Sequence, residues 1–255
     1  MLLKRIYQFF LVYLLGVTAL WALKWGLSLS DYVVPGLRDV WFTAGRVGLE
    51  YLRATCDTLL VAVIGHFLSI LLALVVGVIA QLTSWIGALI RAAAFNIQAY
   101  PIVAVAPIIF ILLGDGLSSR LIIAAMICYF PLLLAFIGVL STPVQDIEHF
   151  YVSTGRDSWM LRVKIRTFEN LKKLITVIAG SATLAMVGTI VAEFIAAGAG
   201  IGYRIRIALY QSDMAKILIA LLLIGVFTSL YLGCLEWLGV LLQNHWAPEA
   251  PEPTS

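Results

Sequence analysis

Residues Thr58–Ala80 read TLLVAVIGHFLSILLALVVGVIA, a run without a formal charge in which only His66 and Ser69 are notably polar. About 20 apolar residues in helical form cross the roughly 30 Å hydrocarbon layer of a bilayer, so this run predicts a transmembrane helix. The rest of the chain has the same character. Of 255 residues, 62% are hydrophobic and 12% charged, and the mean hydropathy is +1.01. Soluble domains carry about a quarter charged residues. Half that fraction excludes a disordered chain, a secreted disulfide scaffold and a nucleic-acid-binding domain. The net charge of +3 suggests no polyanionic partner.

Five further runs follow the same logic: Ile6–Trp25, Ala92–Leu113, Leu121–Leu140, Leu174–Ala197 and Ile217–Leu235. The first, behind Lys4 and Arg5, is long and bulky and shows no small-x-small cleavage site, so a retained signal anchor is expected. The mixed stretch 26–50 that follows it is expected outside the hydrocarbon. The run Ala92–Leu113 contains Pro101 and Pro107. A proline removes a backbone donor and crowds the preceding turn, so a kinked or partly unwound span is expected there. The fold class is therefore an all-α membrane protein with about six spans, organised as one domain over 1–242. A tail, 243–255, ends in alternating Pro and acidic residues and is expected to be disordered.

Between Ser141 and Lys173 the composition changes abruptly, to ten charges in thirty-three residues, six of them Arg or Lys. Pro143 and Gly155 mark a start and a break of short helices, and Trp159, Leu161, Val163 and Ile165 alternate with basic residues. Such a loop needs a protein surface to dock on, unless its basic residues only attract lipid phosphates. Placing the N-terminus, the C-terminus and this loop inside leaves nine basic residues inside against eight outside, with six of the nine concentrated in the loop.

The ordered motifs resemble the permease subunit of bacterial type I ABC importers, in the nitrate, sulfonate and taurine group, whose loop takes a similar form in permeases for thiamine-precursor pyrimidines. Those proteins carry E-A-A-x-x-x-G, then nine residues and I-x-L-P. Gly155 and Ile165 fall at that spacing here. Tyr100–Pro107, the turn Gly114-Asp115-Gly116, the Tyr129-Phe130-Pro131 element and the run Val191–Tyr203 (VAEFIAAGAGIGY) are similar to the family's other landmarks. His149-Phe150-Tyr151 replace the small triad, Thr167-Phe168 replace L-P, and Glu148 stands one residue out of register. The loss of the proline is expected to let the chain run helically from Trp159 toward Leu174.

The resemblance implies a type I permease fold whose 141–173 loop forms coupling helices, with Glu148, His149, Phe150, Tyr151, Gly155, Trp159 and Ile165 as the ATPase-coupling residues. It also implies partners: ABC ATPase subunits, a second permease copy or homologous permease, and an external solute-binding protein, in a bacterial inner membrane with membrane lipid around it. The altered triad suggests a non-identical permease or an atypical ATPase. No Walker A pattern, G-x-S-x-G elbow or H-E-x-x-H pair occurs. An enzyme is not expected, no cofactor is assigned, and ATP is expected on the partner subunit. The alternative is a stand-alone channel or secondary carrier.

For the solute path, Pro101, Ala104 and Pro107 disrupt one span. Ser181, Ala185 and Gly188 place small side chains on one face of another, a pattern that serves close packing as readily as a path. Glu193 is the lone charge in its run and is expected either to serve the pathway or to pair with Arg204 or Arg206. His66 is expected to be a buried hydrogen-bonding residue without a further role. Cys56, Cys128 and Cys234 lack metal-site spacing and are expected to be buried free thiols.

Overall fold

The computed structural model describes residues 2–246, with side chains described for 5–245; the expected disorder of 247–255 lies outside the described residues. Among the described residues all regular structure is helical. In chain order the helices are α1 Leu2–Gly26, α2 Leu37–Ile79, α3 Ser84–Gln98, α4 Ile102–Leu113 and α5 Leu117–Leu140. They continue with α6 Gln145–Ser153, α7 Trp159–Glu169, α8 Leu171–Ile195, α9 Gly200–Tyr210 and α10 Met214–Trp246. Five of them (α1, α2, α5, α8 and α10) are long and apolar enough to cross a membrane. The α3/α4 pair makes six if counted as one broken span.

The third span is the largest departure from the sequence reading, because α3 and α4 meet at 87°. Pro101 is the N-cap of α4, and the residue before a proline is driven out of helical conformation, so the chain breaks at 99–101 rather than kinking. Pro107, inside α4, is accommodated. Helix α2 has 43 residues, about 65 Å of helix and roughly twice the hydrocarbon thickness. Residues 37–50, expected as a mixed connection, are thus the first turns of this helix. Likewise 198–216, read as a separator, contains α9, and α10 runs four residues into the segment assigned to the tail.

The core lies where α2, α5 and α8 meet, with Ala73, Cys128, Leu133, Phe136, Ile137 and Ala185 in one buried cluster. Without a hydrophobic drive between helices in lipid, close approach of small residues supplies the packing. A Cβ on Gly65 would stand 3.1 Å from the Ala124 Cβ, and one on Gly188 3.0 Å from the Ile127 Cβ. Two polar side chains of this interior are paired: Ser69 donates to the Ala125 carbonyl at 2.8 Å, and His66 bridges Ser181 and Tyr231 at 2.8 and 2.6 Å. His66 is thus the buried hydrogen-bonding residue expected. The three thiols are free, but only Cys128 is buried; Cys56 and Cys234 are exposed on the single chain. Helix α1 lies against α10, with the Phe9 ring over Gly225 and Arg5 paired with Glu236.

Candidate functional site

The two short helices α6 and α7 project between the C-terminal end of α5 and the N-terminal end of α8. Helix α6 ends in a Schellman motif: the Gly155 N–H donates to the Val152 carbonyl at 3.1 Å and the Arg156 N–H to the Tyr151 carbonyl at 3.0 Å. That closure needs a left-handed residue, and Gly155 has φ +68°. A Cβ there would meet nothing within 4 Å, so backbone conformation, not crowding inside the chain, selects the glycine. Ser158 then caps α7, its side chain accepting from Leu161 N at 3.2 Å.

Glu148 and Arg166 hold this arm together. Arg166 donates through Nε and Nη2 to the two Glu148 oxygens at 2.7 and 2.8 Å, and through Nη1 to the Leu140 carbonyl at 3.1 Å. One guanidinium therefore joins α7, α6 and the last turn of α5. Glu148 also accepts from Val144 N at 3.0 Å, satisfying a donor at the start of α6. The Arg166 fork outweighs burial, which acts the other way, and with the backbone bond from Val144 it holds the Glu148 carboxyl below the usual carboxylate range. Sequence reasoning misses Arg166. Its signal is a basic residue eighteen positions after a carboxylate across a Gly-marked turn, which distance along the chain does not reveal.

Around that fastening, His149 and Phe150 are exposed, Tyr151, Trp159 and Ile165 are half-buried, and Val152, Met160 and Phe168 present further apolar surface. The expected helical run from Trp159 toward Leu174 stops at Asn170. Asn170 is buried; its amide Nδ2 donates to the Arg166 carbonyl at 2.9 Å and its Oδ1 accepts from Lys173 at 2.8 Å. The Arg166 carbonyl thus accepts both the Asn170 backbone N–H, at 3.0 Å, and its side-chain amide, and α7 and α8 are separated by this one residue.

At the opposite end of the bundle, the first turn of α5 meets the last turn of α8. Glu193 is fully buried there. Its oxygens accept from Thr58 Oγ1 at 2.7 Å, from Gly202 N at 3.0 Å and from Arg120 Nη2, which also reaches Asp57 at 2.8 Å. Thr58 Oγ1 in turn accepts from Ile201 N at 2.8 Å. Side chains of α2 and α5 and one backbone N–H of α9 thus converge on one carboxylate of α8, and a second α9 N–H holds Thr58 in place. The predicted partners are corrected: Arg204 pairs with Glu50 at 2.6 Å, and Arg206 donates to the carbonyls of Phe194, Ile195 and Ala197, closing the end of α8. Arg120 wins because α5 and α8 run antiparallel, which brings the start of one to the depth of the end of the other.

The glycines after Glu193 make this possible. A Cβ on Gly200, at φ +88°, would lie 2.1 Å from the Glu193 Cδ, and one on Gly202 2.4 Å from the Ile190 carbonyl oxygen. Both must be small for the carboxylate to fit. The candidate path residues separate into two groups. Pro101, Ala104 and Pro107 lie exposed along one side of α4, whereas Ser181, Ala185 and Gly188 are buried in the packing of α8 against α2 and α5. The structure does not bring the two groups together on one open surface of the single chain. No group of three or more His, Cys, Asp or Glu able to hold a metal occurs among the described residues.

The profile of the family described as binding-protein-dependent transport system inner membrane component matches residues 65–246. The chain is 36% identical over 143 residues to the riboflavin transport system permease protein RibX of Chloroflexus aurantiacus, covering 54% of this chain and 53% of that one. It is 25% identical over 219 residues to a probable ABC transporter permease protein of Haemophilus influenzae, covering 83% and 86%. It is also 25% identical over 246 residues to the formylaminopyrimidine transport permease protein ThiX of Halalkalibacterium halodurans, covering 93% and 92%. The chain thus matches about half the length of the first relative and most of the length of the other two.

Proposed function

The chain belongs to the binding-protein-dependent transport system inner membrane component family of ABC permeases, and on that premise we propose that it carries a small heterocyclic solute inward, driven by ATP on a separate subunit. The permease assignment and the all-helical fold with five or six spans rest on the family match and the apolar helices. The solute class is supported by two relatives named for riboflavin and formylaminopyrimidine, both flat nitrogen heterocycles. Within the sulfonate, taurine, nitrate or thiamine-precursor-pyrimidine range of the sequence reading, these two names favour the heterocyclic end.

The observation that carries the ATP-driven reading is the α6/α7 arm. Its exposed apolar side chains need a protein partner, and Arg166 fastens it to the end of α5. An ATPase moving this arm would move α5, and with it Arg120 at the far end, as a rigid-body displacement. On this reading the loop, N-terminus and C-terminus face the cytoplasm. A second permease, identical or homologous, completes the path along the exposed side of α4, and an external binding protein delivers the solute.

The test is reconstitution. The chain, purified with the ATPase that accompanies it, is placed in proteoliposomes with radiolabelled formylaminopyrimidine and riboflavin as separate cargoes. Uptake that requires ATP and the binding protein is the expected result. Uptake in the absence of any ATPase would replace this reading with a channel or secondary carrier.

A further inference from the structure

A cavity of about 530 Å³ opens beside α3, between the C-terminal ends of α2 and α5. Its α3 wall is a single stripe at helical spacing: Ser84, Ala88, Arg91, Ala92 and Phe95 face it, and Ser141 lies across from them. No carboxylate lines it. Arg91 is exposed and makes no ion pair or hydrogen bond among the described residues. The cavity is therefore two-natured. A positive charge with serine hydroxyls stands beside a continuous apolar strip of alanines and one aromatic ring.

We propose that this cavity binds one anionic phospholipid, its phosphate at Arg91 and an acyl chain along Ala88, Ala92 and Phe95. The setting supports an amphiphile over a free anion, which would use the charge and leave the apolar strip uncovered. Helix α3 turns 87° from α4, so the pair does not continue as one straight span, and a helix turned out of line in this way suits the interface. It carries exposed Trp85 beside exposed Leu89, and tryptophan concentrates at headgroup depth. The cavity also sits at the end of the bundle where the charged 141–173 segment begins, because Ser141 is the residue that follows α5. The site stands apart from the identity of the transported solute.

Native mass spectrometry of the full chain, purified with its accompanying subunits, tests this with phosphatidylglycerol and phosphatidylcholine added at equal concentration. Phosphatidylglycerol is expected to be retained about fivefold more than phosphatidylcholine, the effect of one basic residue near an anionic headgroup. Arg91→Gln removes the preference, Ala88→Phe lowers retention of both lipids by filling the strip, and Arg46→Gln, at a distant exposed site, changes nothing. Equal retention of the two lipids, or a preference that survives Arg91→Gln, overturns the proposal. Displacement of the bound lipid by glycerol phosphate at millimolar concentration also overturns it, by assigning the site to a soluble anion.

Discussion

Arg120 with Glu193 and Arg166 with Glu148 are the same chemical pair placed at the two ends of one bundle, in opposite surroundings. Glu193 is wholly buried and surrounded by donors from three other helices. Glu148 lies at the edge of the solvent and holds Arg166, which fastens the two short helices to the end of a third. The Coulomb attraction in a buried pair is strong, but the cost of removing both charges from water is of similar size. The pair holds elements in register more than it adds net stability. Breaking it by removing one partner is another matter, since the remaining charge stays buried. At the arm the released charge can turn to water.

The widest gap between the two ends should appear on removing the carboxylates. Glu193→Ala leaves Arg120 buried beside Asp57 alone and is expected to cost roughly 3 to 5 kcal/mol. Thermal unfolding in detergent, followed by fluorescence, reads it. Glu193→Gln, which keeps the shape and an acceptor for Thr58 and the Gly202 N–H, should fall between wild type and Glu193→Ala. Glu148→Ala should shift the melting temperature much less. Equal shifts for Glu193→Ala and Glu148→Ala would show that burial does not separate the two ends.

The glycines sharpen the same contrast inside one motif. Gly200→Ala must relieve both a left-handed backbone and a collision with the Glu193 carboxylate, together about 2 to 4 kcal/mol. Gly198→Ala meets only the Asp115 carboxylate oxygen, at 3.2 Å, which can swing away, and should be close to neutral. Comparable melting temperatures for the two variants would remove the cradle as the reason for this glycine pattern.

Much of this is legible in the sequence, and the exceptions share a cause. Apolar runs report α5 and α8 because hydrocarbon thickness fixes their length. Pro143 and Gly155 bracket α6 because both act on their own backbone. What stays hidden depends on pairing across helices. Glu193 is anomalous in its run, yet the arginines nearest in the chain are not its partners. Arg120 lies 73 residues away. The same limit hides Arg166 and the role of Thr58. The bend at 99–101 exceeds the expected kink because proline signals a break without giving its angle.

Gly155 tests the arm on its own terms. Since its Cβ would meet open space, Gly155→Asn, which tolerates a left-handed backbone, should preserve the turn. Gly155→Val should weaken it by about 1 to 2 kcal/mol. Limited proteolysis between α6 and α7 should therefore quicken in the valine variant and stay near wild type in the asparagine variant. If pull-down of the ATPase nevertheless fails with asparagine, the glycine is needed for close approach of the partner and not only for its φ.

The smallest effect expected is the pH response of the arm, and its sign follows from the pairing. Arg166 favours the charged form of Glu148, so its folded value lies below the unfolded one of about 4.3. A carboxylate shifted that way stabilises the fold at pH above the unfolded value and loses that contribution as pH falls through the folded one. The pair is bidentate but borders solvent, so about 1 kcal/mol at neutral pH is the expected scale. Hydrogen exchange of peptides covering 145–169 should then be faster in Glu148→Gln than in wild type at pH 7. Compared at matched pH, the two should converge once pH has fallen through the folded value of Glu148, where the wild-type side chain is itself protonated. Amides near Glu193 should show no such convergence under Glu148→Gln, because the bond from Arg166 to Leu140 survives and keeps α5 in place. A difference at 145–169 that persists undiminished at low pH would mean that Glu148→Gln disturbs α6 through side-chain shape, and that the charge pair contributes nothing there.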